Sequence, residues 1–94
     1  MSYTALVTGG TGGLGQAIAR ALHDDGHTVL VACSLNHQDV DEWLAVQAAD
    51  GYVFHLYRVD VADEVSCQAM ADQIRVDGHH VDILVNNAGI VRDG

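Results

Sequence analysis

Apolar and polar positions follow two rhythms along this chain, and each change of rhythm marks an element boundary. Tyr3 to Val7 is a short apolar run of strand character. Shortly afterwards Leu14, Ala17, Ile18, Ala21 and Leu22 recur at i, i+3, i+4, i+7 and i+8, one face of a helix. Gly26 stands where a helix C-terminus favours glycine. Thr28 to Ala32 is apolar on both faces, as strands covered by helices on both sides are. Asp39 to Glu42 has the form of a capping box, and Val40, Trp43, Leu44 and Ala48 mark a second helix face that Gly51 closes. Tyr52 to Val59 reads as a third strand. Asp63 is placed to cap a third helix, whose stripe is Cys67, Met70, Ala71 and Ile74 and whose end is Gly78. Val81 to Val85 is a fourth strand, feeding Asn86-Asn87-Ala88-Gly89.

Asp25-Gly26, Asp50-Gly51 and Asp77-Gly78 recur at intervals of 25 and 27 residues, each between a helical pattern and a strand pattern. They read as the helix-to-strand corners of repeated βα units. Strand–helix alternation predicts an α/β fold with parallel strands, right-handed crossovers and helices on both faces. In the doubly wound arrangement the strand order is 3-2-1-4, and ligands bind at the C-terminal edge between strands 1 and 4. The glycine loop after strand 1 and the Asn86-Asn87-Ala88-Gly89 turn after strand 4 both fall there.

The first of them carries the candidate chemistry. Thr8 to Gly15 holds five glycines in eight residues, directly after a strand and directly before a helix. Missing Cβ atoms let phosphate oxygens reach the backbone, and the N–H groups of the first helical turn point at them along the positive end of the helix dipole. A Walker phosphate loop is excluded, because it needs a lysine and the chain has none.

Composition narrows the partners. The 94 residues suit one small domain or part of a larger one, and 49% hydrophobic content with 10 glycines and no proline describes an ordered chain. Thirteen acids face 4 arginines, for a formal charge of −9. That balance opposes nucleic-acid backbones and anionic membranes, and it leaves any anionic cofactor dependent on local backbone donors. Cys33 and Cys67 form no C-x-x-C and lie in apolar stretches, reading as reduced thiols of a cytoplasmic protein. No signal pattern or membrane-length apolar run is present. The 6 histidines show no paired ligand spacing, so no metal site is expected.

The spacing Thr8-Gly9-x-x-x-Gly13-x-Gly15, then Asp60-Val61, then Asn86-Asn87-Ala88-Gly89, resembles the short-chain dehydrogenase/reductase family over essentially the whole chain, as its N-terminal part. The resemblance implies a Rossmann fold binding NAD or NADP. Gly9 would open the loop, and Gly12, Gly13, Leu14 and Gly15 would line the pyrophosphate. Asp60 and Val61 would contact adenine, while Asn87, Ala88, Gly89 and Ile90 would flank the ribose beside nicotinamide. Asn86 looks like a sheet-bracing residue. Gly89 to Asp93 resembles a segment of 3-ketoacyl reductases, and Trp43-Leu44 with the glycine loop resembles acetoacetyl-CoA reductases, which act on an acyl-CoA and are usually homotetramers. The 3-oxoacyl-carrier-protein reductases are the near alternative, and a stand-alone nucleotide-binding module is another.

NAD versus NADP stays open at this level. An acid after strand 2 accepts hydrogen bonds from the adenosine ribose, and an arginine there pairs with a 2′-phosphate. The loop Cys33 to Val40 has neither at the strand's immediate end; Ser34, Asn36 and His37 suit either form, and Asp39 follows later. The family's catalytic set, a serine with a Tyr-x-x-x-Lys pair, is not in this chain, since it holds no lysine. We therefore expect an incomplete cofactor-binding domain, with no catalytic residues and with Ile83, Leu84 and Val85 on an open sheet edge.

Overall fold

Three helices hand the chain to the next strand through the same hydrogen-bonded corner. A computed structural model describes residues 2–87, with the elements β1 (Thr4–Thr8), α1 (Gly13–Asp24), β2 (Thr28–Cys33), α2 (Val40–Ala49), β3 (His55–Arg58), α3 (Glu64–Val76) and β4 (Ile83–Asn86). After α1, Gly26 N–H donates to His23 O and His27 N–H to Leu22 O. After α2 the same pair runs from Gly51 to Ala48 and from Tyr52 to Gln47, and after α3 from Gly78 to Arg75 and from His79 to Ile74. This is the Schellman arrangement, and it requires a positive φ at the residue past the cap. Gly26, Gly51 and Gly78 have φ of 89°, 91° and 86°. The Asp-Gly periodicity of the sequence is thus one backbone device used three times.

The sheet is parallel, in the order β3-β2-β1-β4. Alternation on the central strands divides the core. Leu6, Leu30, Ala32, Tyr57 and Val59 face α3 through Ile74, with Cys67 and Met70 packed alongside. Val7, Val29, Val31 and Phe54 meet Ala19 of α1, with Ile18, Leu22, Trp43 and Leu44 against them. Trp43 anchors α2 as expected: it stacks on Phe54 and donates from Nε1 to Gln16 Oε1 at 2.8 Å. Asp63 caps α3 through its carboxylate, which accepts from Val65 N–H.

Several expectations are corrected by packing. On α1 the buried face is Gly15, Ile18, Ala19 and Leu22, one residue out of phase with the face read from hydrophobicity, and Leu14 is 62% exposed. On α2 the seat expected for Ala48 belongs to Gln47, 2% exposed. A buried amide is tolerated only when hydrogen-bonded. Gln47 accepts from Arg20 Nε at 2.8 Å and donates to Gln16 Oε1 at 3.2 Å. The capping box does not form: Asp39 has φ 59°, and its side chain makes no cap hydrogen bond. An N-cap side chain reaches the first-turn amides from extended backbone, not from the left-handed region. β3 is shorter than the run Tyr52 to Val59, because its ladder to β2 begins only at the pair Leu30 and His55. β4 begins at Ile83 rather than Val81. Among the described residues only β1 pairs with β4, and Leu84 on it is 63% exposed.

Tyr57 links β3 to the end of α3. Its hydroxyl donates to Asp77 Oδ2 at 2.7 Å, and Gln73 Nε2 donates to Asp77 Oδ1 at 2.8 Å. Burial, then the bond to Asp77, pushes the Tyr57 hydroxyl from 10.0 up to about 12. The unfolded chain therefore loses that proton before the folded one does. The associated stability is whole below pH 10 and disappears as pH rises toward about 12. Denaturant titrations at rising pH are expected to show a smaller loss across that window for Tyr57→Phe than for the natural chain.

Candidate functional site

The C-terminal ends of the strands gather the functional residues because parallel strands deliver every βα loop to one edge of the sheet. β1 ends in Thr8, and the chain turns at Gly9, whose φ is 67° and whose N–H donates to Ala32 O at 2.9 Å. That bond seats the loop on β2. Gly12 is the N-cap of α1, in extended conformation with φ −82° and ψ 171°. It has no side chain with which to cap, and no side-chain bond closes the helix start. The amides of the first turn lack intrahelical acceptors by construction, so they are available to an anion.

Two glycines of this loop serve packing. A Cβ on Gly15 would overlap Gly9 O and come within 2.8 Å of Gly10 Cα. A Cβ on Gly10 would stand 2.7 Å from Val31 Cγ1, inside the core under β2. Helix and loop touch backbone to backbone here, which fixes where the open helix end points. Around Gly13 there is nothing within 4 Å, so a Cβ there would meet no protein atom.

Thr8 fastens the loop to β4. Its hydroxyl proton lies between Val85 O, at 3.3 Å, and Asn86 Oδ1, at 3.2 Å, and its oxygen accepts from Asn87 N–H at 3.0 Å. Asn86 thereby braces the sheet, as the sequence suggested. Asn87 Nδ2 donates to Gly9 O at 3.3 Å, which brings the fourth-strand turn against the glycine loop. Ala88, Gly89 and Ile90, expected beside the nicotinamide ribose, lie outside the described residues.

A cleft of about 620 Å³ opens between the glycine loop, the end of β2 and the end of β3. That volume is within the range of small-molecule and cofactor sites. Of the residues singled out in the sequence, Gly9, Gly12, Asn36, Asp60 and Val61 line it. Gly13 and Leu14 stand exposed at the adjoining helix start, and Gly15 is buried beneath the loop. Asp60 is held by its backbone: its N–H donates to Ser66 Oγ at 2.9 Å, and its Oδ1 accepts from Ala62 N–H at 3.0 Å. Ser34, Leu35 and His37 complete the wall near Asn36, and Asp39 does not reach it. Cys33 also lines the cleft; burial pushes its thiol up, against the opposing charge of Arg58, which disfavours the thiolate.

The cleft joins an open helix N-terminus at one end to neutral polar groups and a fixed carboxylate at the other. That distribution fits an elongated ligand with a diphosphate in the middle and a hydrogen-bonding base and sugar at the end. Gly10 and Gly15, where any Cβ would collide with the sheet or the loop backbone, keep that helix end in place beside the cleft. Ser34 and His37, named with Asn36 as able to meet the ribose, do line the cleft, whereas Thr8 and Gly10 were not among the residues singled out for binding. Gly10 has no sequence signal of its own, because its requirement comes from Val31 on another strand.

Comparison with known proteins gives a consistent set. The family model described as short chain dehydrogenase matches residues 3–94. Nodulation protein G of Azospirillum brasilense is 51% identical over 89 residues, covering 95% of this chain and 36% of that protein. Acetoacetyl-CoA reductase of Cupriavidus necator is 42% identical over 89 residues, again 95% of this chain and 36% of the relative. Among solved structures, 2-keto-3-deoxy-D-gluconate dehydrogenase from Streptococcus agalactiae superposes with a TM-score of 0.84 at 37% identity, over 95% of this chain and 33% of that one. An actinorhodin polyketide ketoreductase with NADPH gives 0.81 at 33% identity, over 94% of this chain and 33% of that one. The chain thus spans about a third of the length of the proteins it resembles.

Proposed function

This chain belongs to the short chain dehydrogenase family, and from that premise we propose that it is the cofactor-binding part of an NAD(P)-dependent oxidoreductase that reduces a 3-ketoacyl thioester. Acetoacetyl-CoA, giving 3-hydroxybutyryl-CoA, is the substrate we favour. The observation that carries the cofactor half of this reading is the uncapped start of α1 facing Asp60 across one cleft. The amides of the first turn of α1 would hold the diphosphate, Asp60 and Val61 the adenine, and Asn36 and Ser34 the adenosine ribose. Asn87, tied to Gly9 O, would keep the fourth-strand turn in place against the loop. When bound, the nicotinamide supplies or accepts the hydride. The substrate half of the reading is supported by the 42% identity to an acetoacetyl-CoA reductase.

Reduction of a ketone also needs a proton donor near the carbonyl. This chain has no lysine to form the family's Tyr-Lys pair, so that group is assigned to sequence beyond these 94 residues. The test has two stages. Calorimetric titration of the folded chain with NADH and with NADPH is expected to show binding of at least one; no heat from either removes the cofactor reading. A protein that contains this chain together with a downstream Ser and Tyr-x-x-x-Lys is then expected to oxidise the bound dinucleotide faster with acetoacetyl-CoA than with the carrier-protein thioester. The reverse order would assign the carrier-protein substrate instead.

A further inference from the structure

Resting on that reading of the cleft, we propose that it selects the dinucleotide with a free 2′-hydroxyl over the one bearing a 2′-phosphate, and that Arg58 is the positioning residue that shapes the ribose end. A phosphate monoester brings nearly two negative charges and is normally met by arginine or lysine. The chain has no lysine and 4 arginines, so the cationic groups can be followed one by one. Arg20 is engaged far from the cleft, donating to Gln47 and to Asp50 Oδ2 at 3.0 Å and lying over the Tyr52 ring. Arg75 pairs with Asp72 on α3. Arg92 lies outside the described residues.

Arg58 alone among the described arginines reaches the ribose loop, and it reaches the loop's backbone. Its Nη1 donates to Leu35 O at 3.1 Å and to His37 O at 3.0 Å, and Arg58 is not among the residues lining the cleft. The guanidinium thus clasps the two carbonyls that flank Asn36. Its Nη1 is committed to loop shape, and its charge reaches the cleft only from behind that loop, where it is felt at Cys33. What the loop presents to the cleft is Ser34, Leu35, Asn36 and His37, of which Ser34 and Asn36 donate to and accept from ribose hydroxyls, with Asp60 in the same lining. A 2′-phosphate placed there would share the cleft with Asp60, in a chain of formal charge −9, with no arginine among the described residues that line it.

The experiment is a pair of dissociation constants, for NADH and for NADPH, measured by calorimetry at about pH 8, where imidazoles are ordinarily neutral. NADH is expected to bind roughly tenfold tighter or more, the size of effect that one unpaired charged group commonly has. Ser34→Arg, which replaces a ribose contact by a cation, is expected to weaken NADH and to shift the ratio of the two constants toward NADPH by about tenfold or more. Arg58→Gln, which releases the clasp, is expected to weaken both dinucleotides by the same factor and so keep their ratio. Equal affinities in the natural chain, or tighter NADPH, would overturn the proposal, as would a selective loss of NADPH binding in Arg58→Gln. Failure of a folded chain to bind either dinucleotide is a different outcome, and it strikes the cofactor reading itself.

Discussion

Gly15→Ala is expected to unfold this chain or to lower its melting temperature by on the order of 10 °C or more. One methyl group is all that changes, and alanine is the better helix former by about 1 kcal/mol. Yet the new Cβ would overlap Gly9 O and stand 2.8 Å from Gly10 Cα, and these are backbone atoms with no rotamer to give way. Gly9 N–H is bonded to Ala32 O, and a Cβ on Gly10 would already meet Val31, so the loop has no room to retreat into the sheet. The helix must move out instead, separating Ala19 from Val7, Val29 and Val31. Overpacking of side chains typically costs about 1–3 kcal/mol, and a backbone collision belongs at the upper end or above. Gly13→Ala is the control. It has the same chemistry two residues earlier, with nothing within 4 Å, and is expected to melt at or above the temperature of the natural chain. Equal melting temperatures for the two variants would show that the helix does not sit on the loop as described.

Which features could be read from the sequence follows from how local their causes are. The three Schellman corners were legible because each needs only a glycine one residue past a helix end. The strand order was legible because alternation of strand and helix restricts a parallel sheet to few topologies. Asp63 as a cap was legible, since extended backbone before α3 lets its carboxylate reach Val65 N–H. Asp39 looks the same in sequence, but its φ of 59° takes the side chain away from the helix start. Nothing in the residue type distinguishes the two, because the backbone at Asp39 answers to a loop that Arg58 clasps from β3. Gln47 was misread for a related reason. A hydrophobic period assigns a core seat to Ala48, whereas the seat goes to a glutamine whose partners, Arg20 and Gln16, lie on another helix. The binding cleft divides in the same way. Gly9, Gly12, Asp60 and Val61 belong to contiguous motifs, and Ser34, Asn36 and His37 to the loop that follows strand 2, whereas Gly10 depends on a side chain of β2.

Gly12→Asp is expected to leave the fold intact, or slightly more stable, while reducing dinucleotide affinity by roughly 100-fold or more. Gly12 has the extended φ and ψ that N-cap residues adopt, and a Cβ there meets Gly9 O only at an ordinary 3.6 Å. An aspartate at this position can therefore accept the first-turn amides of α1, adding a few tenths of a kcal/mol over glycine as a cap. Its charge at the positive end of the helix dipole adds about 0.3–1 kcal/mol. The same amides are the ones assigned to the diphosphate, so the carboxylate competes from within the chain and repels the ligand as well. Loss of two charge-assisted hydrogen bonds, at about 1.5–3 kcal/mol each, is enough for the stated factor. Gly12→Asn separates the two contributions: it caps the same amides without the charge, and is expected to weaken binding less than aspartate does. Thermal melting and calorimetric titration of the two variants read stability and affinity independently. A Gly12→Asp chain that melts normally and binds NADH and NADPH as the natural chain does would show that the diphosphate is held elsewhere. The opposite movement of stability and binding at one residue is what an anion site built from an uncapped helix must produce.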